Sequence, residues 1–154
     1  MDRDRSPPLD ITPVWANLNE GLIALVDCIP EDKLDWSPQP GLWNFRGILM
    51  HTAYARDGWL ARDVKDGGEP AEALWGRGGL SKAEIQAELR RSWERLQRFL
   101  SDAAKLDATY DTSDGELTGH WIAFHLLEHD IHHRADIFHY LALLGIEHPQ
   151  VETP

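Results

Sequence analysis

Apolar residues recur at three- and four-residue steps in four separate stretches of this 154-residue chain. This spacing places them on one face of an α-helix. No stretch shows the sustained alternation of apolar and polar residues that predicts a β-strand. The pattern therefore predicts an all-α fold, and a length close to that of one typical domain indicates a single core.

Helix-capping and helix-breaking residues set the limits of these stretches. The predicted helices cover residues 12–29, 44–64, 81–100 and 118–144. The glycine-bearing connection 65–80 is long enough to cross the end of a bundle, so the second and third helices can run parallel. The polar stretch 107–115 is expected to be a loop. We expect residues 1–10 to be a flexible segment and residues 11–149 to form one domain.

Charge and cysteine content exclude several kinds of partner. Acidic residues outnumber basic ones 26 to 15, giving a net charge of -11, which repels phosphate backbones and anionic lipid headgroups. We therefore expect neither nucleic acid nor a membrane as a partner. A single cysteine, Cys28, allows no internal disulfide and no multi-cysteine metal site. With no secretory signal expected at the start of the chain, we expect a cytoplasmic protein.

Five of the eight histidines lie between His120 and His133. His125, His129 and His133 are spaced by four, which stacks them on one helical face at about 6 Å intervals. Two imidazoles at this spacing can bind one metal ion, and His51, on the inward face of the second helix, can add a third ligand. A lone histidine on an apolar face is more often a hydrogen-bonded core residue, but three stacked histidines are costly to bury without a partner. The spacing predicts a metal site and leaves open which pair of the three takes part.

Two segments of the sequence resemble the DinB-like family. Residues 125–136 (HLLEHDIHHRAD) are similar to the family's histidine ladder on the fourth helix, and residues 40–51 (PGLWNFRGILMH) resemble its proline-glycine-tryptophan lead into a helix with one histidine. The resemblance extends from Leu18 to Pro149. It implies a four-helix bundle in up-down-down-up order, with the long crossover between helices two and three, and often a homodimer.

The resemblance also implies a particular ligand set. The family's metal triad falls on His51, His129 and His133. His125 matches the first histidine of the family's fourth-helix series, which is usually not a ligand, so here it is an alternative ligand or a supporting residue. Zinc or nickel is favoured as the ion, with iron or manganese as alternatives. The sequence departs from the family where Asp136 replaces the more common glutamine. Asp136 can orient a ligand histidine, or it can be an ordinary surface acid.

Three neutral imidazoles leave an open position for water, as in catalytic metal sites. The resemblance implies a metal-dependent enzyme acting on a small molecule, of the thiol transferase or hydrolase type, with a low-molecular-weight thiol as one candidate partner. The alternative is a non-catalytic bundle stabilised by metal or binding a small ligand. Tyr54 and Asp136 are the candidates for a catalytic role, although Tyr54, one turn after His51, also fits a core position.

The position of each tryptophan in the helical pattern predicts its environment. Trp75, in the crossover, is expected to line a pocket or a dimer contact. The others on apolar stripes are expected to be core residues: Trp15, Trp43, Trp59, Trp93 and Trp121.

Overall fold

A computed structural model describes residues 10–68 and 79–148. Its first helix, α1, covers Thr12–Cys28 and has Pro13 near its start, where a missing N–H costs no hydrogen bond. Helix α2 covers Phe45–Gly58 and begins at Asn44, whose Oδ1 accepts a 2.7 Å hydrogen bond from the Gly47 amide. The helix continues into a π-helical turn at Trp59–Asp63, so the predicted extent of the second helix is confirmed.

Helix α3 covers Lys82–Leu100 and has the predicted capping box, in which Ser81 and Glu84 satisfy each other's backbone N–H groups. A short helix, α4, follows at Ala103–Asp107. The flexible segment expected at residues 1–10 lies almost entirely outside the described residues, as does most of the crossover between α2 and α3, including Trp75.

The stretch predicted as a loop instead contains a β-hairpin, so the fold is mostly helical but not all-α. Strand β1 covers Thr109–Thr112 and pairs antiparallel with strand β2 at Gly115–Thr118. Tyr110 lies opposite Leu117, and both pack against the core. With four residues, each strand is too short to show the alternation on which the sequence prediction depended.

Helix α5, Gly119–Leu143, begins where β2 ends and carries the clustered histidines. The Thr118 hydroxyl accepts a hydrogen bond from the Trp121 amide at its start. Gly119 packs directly on α4, since a Cβ atom there would lie 2.2 Å from the Lys105 carbonyl oxygen. Glycine is therefore required at this position.

Four long helices surround one hydrophobic core. Helix α2 packs against both α3 and α5, and α1 packs against the same two helices. Trp15 and Trp93 lie in this core as predicted, and Trp59 is half-buried against it. Trp43 and Trp121 were predicted to be core residues and are not, since they are 43% and 41% exposed. Trp121 lies on a helix, where spacing identifies a face but not what covers it, whereas Trp43 lies before the first residue of α2, outside the helix to which the spacing applies.

A polar network lies inside this core. Arg56 of α2 and Asp130 of α5 form an ion pair at 2.8 Å with both side chains fully buried. The Trp15 indole N–H donates to the same carboxylate at 2.7 Å, and Arg56 also donates to Asn19 and Ser92. The network therefore links α1, α2, α3 and α5 at one level of the core.

No helix in the described ranges combines the length and the apolar character needed to cross a membrane.

Candidate metal centre

Helices α2 and α5 bring three histidines together. His51 faces α5, and its Nε2 lies 2.8 Å from the Nε2 of His129. His133 lies one turn further along α5, with its ring centroid 5.0 Å from that of His51 and 4.4 Å from that of His129. One nitrogen from each of the three rings lies within 4.8 Å of the others. The three histidines carried over from the resemblance are therefore neighbours in space.

Asp136 fixes the tautomer of His133. The Nδ1 of His133 lies 3.0 Å from Asp136 Oδ2, and a carboxylate accepts hydrogen bonds, so Nδ1 carries the proton. The lone pair of a neutral imidazole is then on Nε2. Asp136 thus holds His133 in the form in which Nε2 can bind a metal ion, as carboxylates do for many metal-bound histidines.

Burial keeps the three imidazoles neutral. It lowers the pKa of His51 to about 4 and that of His129 to about 3, with repulsion between neighbouring histidines adding to the shift. Burial also lowers the pKa of His133, although its hydrogen bond to Asp136 acts in the opposite direction. A metal ion requires neutral imidazole, so the folded protein presents these ligands in the required protonation state at neutral pH.

The donor set fits a divalent transition-metal ion. Imidazole nitrogen binds such ions at about 2.0–2.1 Å, which separates two ligand nitrogens by about 3.0–3.4 Å. The 2.8 Å between His51 and His129 needs to open by only a few tenths of an ångström. His129 Nδ1 is buried without a hydrogen-bond partner in the described part of the chain, so the packing of the ring and the contact of its Nε2 with His51 orient it.

A cavity of about 260 Å³ opens beside the triad. Its lining consists of His51, His125, Glu128, His129, His132 and His133. The candidate ligands therefore face a space that a small molecule can enter. Tyr54, the other catalytic candidate, is half-buried on α2 and does not line this cavity.

His125 lines the cavity but lies apart from the triad. Its ring centroid is 6.3 Å from that of His129, and its ring stacks on Trp121 at 5.2 Å with the planes 8° apart. It does not belong to the group of nitrogens that converge around His51. His132 is exposed and lies 3.6 Å from Asp136.

Two residues at this site were not predicted from sequence. Trp43 was expected in the core but packs against the triad, with its ring centroid 4.2 Å from that of His51 and 5.9 Å from that of His133. Glu128 lines the cavity. The spacing His125-x-x-Glu128-His129 is a pattern found on metal-binding helices and was the available signal for this carboxylate, whereas no comparable signal marks Trp43.

Solved structures share this fold. The chain has a TM-score of 0.74 with a DinB-like protein from Bacillus cereus, at 19% identity, covering 91% of this chain and 94% of that one. A DinB family protein from Exiguobacterium sibiricum gives 0.72 at 20% identity, with 92% and 97% covered. A DinB-like protein from Bacillus subtilis gives 0.68 at 17% identity, with 94% and 99% covered. Among curated proteins, no match was found.

Fold and site together define a mostly helical protein whose histidine cluster can hold a metal ion. The sequence model of the DinB superfamily matches residues 17–137, which include all three histidines of the triad. The chain belongs to the DinB superfamily.

Proposed function

We propose that this protein binds one divalent metal ion through His51, His129 and His133 and is a metal-dependent enzyme acting on a small molecule. The observation that carries the proposal is the convergence of three imidazoles, kept neutral by burial, at the wall of an open cavity. A site with three protein ligands and space in front of it is typical of catalytic rather than closed structural centres.

Each residue of the site then has a defined task. His51, His129 and His133 bind the ion, and Asp136 keeps Nε2 of His133 free to do so by accepting its Nδ1 proton. Trp43 covers one side of His51 and His133 and limits the access of water there. When bound, the ion would supply Lewis-acid chemistry suited to hydrolysis or to thiol transfer. Zinc or nickel remains the favoured ion, with iron or manganese as alternatives.

The second candidate function is a non-catalytic bundle in which the ion only joins α2 to α5. The observation in its favour is that the ligands come from two different helices, so a bound ion cross-links them. A fourth protein ligand would support this alternative. Within the described residues the converging group around His51 has three members, which favours the catalytic proposal.

Several further expectations belong to the same proposal. We expect the four long helices to follow the up-down-down-up order, the protein to be cytoplasmic and to form a homodimer, and its substrate to be a small molecule, with a low-molecular-weight thiol as one candidate. Nucleic acids and membranes are not expected as partners, because the net charge of -11 opposes both.

Elemental analysis of the purified protein, followed by a reaction screen, tests the proposal. We expect about one equivalent of a divalent transition metal per chain. The loaded protein is then assayed with thiol-acceptor pairs and with hydrolysable esters and amides, and the His51→Ala variant is the matched control. Turnover that depends on His51 supports an enzyme. Metal binding with no turnover across the screen supports the non-catalytic bundle, and absence of metal after loading contradicts both.

A further inference from the structure

Among the described residues that line the cavity beside the triad, Glu128 is the one carboxylate, and none is a lysine or an arginine. Its side chain is exposed at the rim, one residue before His129. It makes no hydrogen bond and no ion pair with any other residue in the described part of the chain. An unpaired carboxylate at the edge of a cavity is available to a ligand.

Aromatic rings adjoin the cavity at His125. His125, which lines the cavity, stacks on Trp121, and the Trp59 ring centroid lies 5.1 Å from that of His125. The guanidinium group of Arg62 already lies over Trp59, 5.6 Å from its ring centroid, and is ion-paired with Asp63. The rings therefore form a surface on which a cation is favourably placed, and Trp121 is 41% exposed there.

The cavity lining changes in charge when an ion binds. Every described lining residue is a histidine except Glu128, which is the one carboxylate among them. An ion bound by the triad would therefore place a positive charge in the same cavity as this carboxylate. A ligand that matches this arrangement has an electron-pair donor at one end and a positive charge at the other. A ligand with several carboxylates or phosphates meets no lysine or arginine among the described lining residues.

We propose that the substrate of this cavity carries an ammonium group, which lies between Glu128 and the Trp121–His125 stack while the opposite end of the molecule faces the triad. The orientation toward the triad rests on the proposed metal function. The cation subsite itself does not, because Glu128 and the aromatic rings are present with or without an ion.

Two probes of similar size and opposite charge test the subsite: phenyltrimethylammonium and benzenesulfonate. The quaternary nitrogen has no lone pair, so phenyltrimethylammonium cannot bind through the metal. Isothermal titration calorimetry is carried out at fixed ionic strength on the purified protein as isolated and again after chelation. In the chelated protein we expect the cation to bind at least about fivefold more tightly than the anion. Glu128→Gln should weaken cation binding about fivefold in both preparations, and Trp121→Ala should also weaken it.

Glu94→Gln is the matched control, because it removes the same charge from an exposed position on α3, a helix that does not line the cavity. Circular dichroism verifies that each variant is folded. Equal binding of the two probes by the chelated protein, or unchanged cation binding in Glu128→Gln, overturns the inference. Loss of metal in His129→Ala with cation binding retained is the expected result. If the wild-type protein takes up no metal but still prefers the cation, the metal function fails and the subsite stands.

Discussion

Arg56 and Asp130 form a fully buried ion pair across the α2–α5 interface, one residue away from the candidate ligand His129. Because His51 lies on α2 and His129 on α5, the pair holds the two helices that supply the ligands in a fixed relation. His129 Nδ1 has no hydrogen-bond partner among the described residues, so the position of this ring depends on packing and on its Nε2 contact with His51. Core stability and site geometry thus both depend on the Arg56–Asp130 pair.

Breaking this pair should destabilise the protein strongly. Asp130→Asn leaves the Arg56 charge buried without a counter-charge, and we expect a loss of about 3–5 kcal/mol in the free energy of unfolding, measured by urea denaturation. Arg56→Met should lower the free energy of unfolding by a similar amount, because it leaves the Asp130 carboxylate buried without a counter-charge. The double variant should lose less free energy of unfolding than the two single variants lose together. Simple additivity would show that the two residues do not act as a pair.

Metal binding should distinguish the histidines of α5. His129→Ala removes a nitrogen that converges with His51, so stoichiometric metal should be lost. His125→Ala should retain about one equivalent, because His125 lies apart from the converging group. Elemental analysis of both variants, purified identically, makes the comparison. The reverse result would place the ion between His125 and its neighbours and would refute the assigned triad.

Asp136 should affect the ion through His133. Asp136→Ala removes the acceptor that keeps the proton on Nδ1 of His133, and we expect metal affinity to fall by about 10–100-fold. Asp136→Asn retains an oxygen that can accept the same proton and should lose less. Affinity is measured by competition with a chelator of known strength. Equal metal affinities of the wild-type protein, Asp136→Ala and Asp136→Asn would identify Asp136 as an ordinary surface acid.

The fold should survive removal of the ion. The core is built from buried residues of all four long helices, which bury far more area than one metal site contributes. A chelator should lower Tm by several degrees, as expected when a ligand of the native state is withdrawn, and should leave the helical far-ultraviolet signal largely intact. Loss of most of that signal would show that the ion is required for folding.

Acid should release the metal only at low pH. On the sequence alone, protons compete with the ion from about pH 6.5, the ordinary pKa of imidazole. Burial lowers the pKa of His51 to about 4 and that of His129 to about 3, so these ligands stay neutral well below that value. Between about pH 7 and 5 affinity should therefore fall less steeply than three imidazoles of ordinary pKa would require, and the steepest fall should come nearer to the lowered pKa values of His51 and His129. A steep fall that begins near pH 6.5 would show that the ligands are not desolvated as the structure places them.

The sequence predicted the histidines of the site, two from their spacing on one helix and His51 from its inward face and the family resemblance, but it could not predict contacts between helices that carry no such signal. The i, i+4 spacing puts His129 and His133 on one face in any α-helix. Trp121 follows the apolar periodicity of α5 yet is partly exposed, because spacing identifies a face and not what covers it, and Trp43 lies before α2, where helical spacing does not apply. The Arg56–Asp130 pair joins residues 74 positions apart and has no local pattern. The short strands of the hairpin carried too few residues to be recognised.

The close contact between Gly119 and the Lys105 carbonyl has a consequence for the far end of α5. An α-helix turns about 100° and advances about 1.5 Å per residue, so a rotation of its first turn about the helix axis rotates every later residue by the same angle. Any larger residue at position 119 would have to push the helix away from α4 or rotate it, and the imidazoles of His129 and His133 would swing with it relative to His51. The orientation of His129 and His133 toward His51 thus depends in part on glycine at position 119, ten residues before His129. A substitution there would change the geometry of the site without altering any ligand.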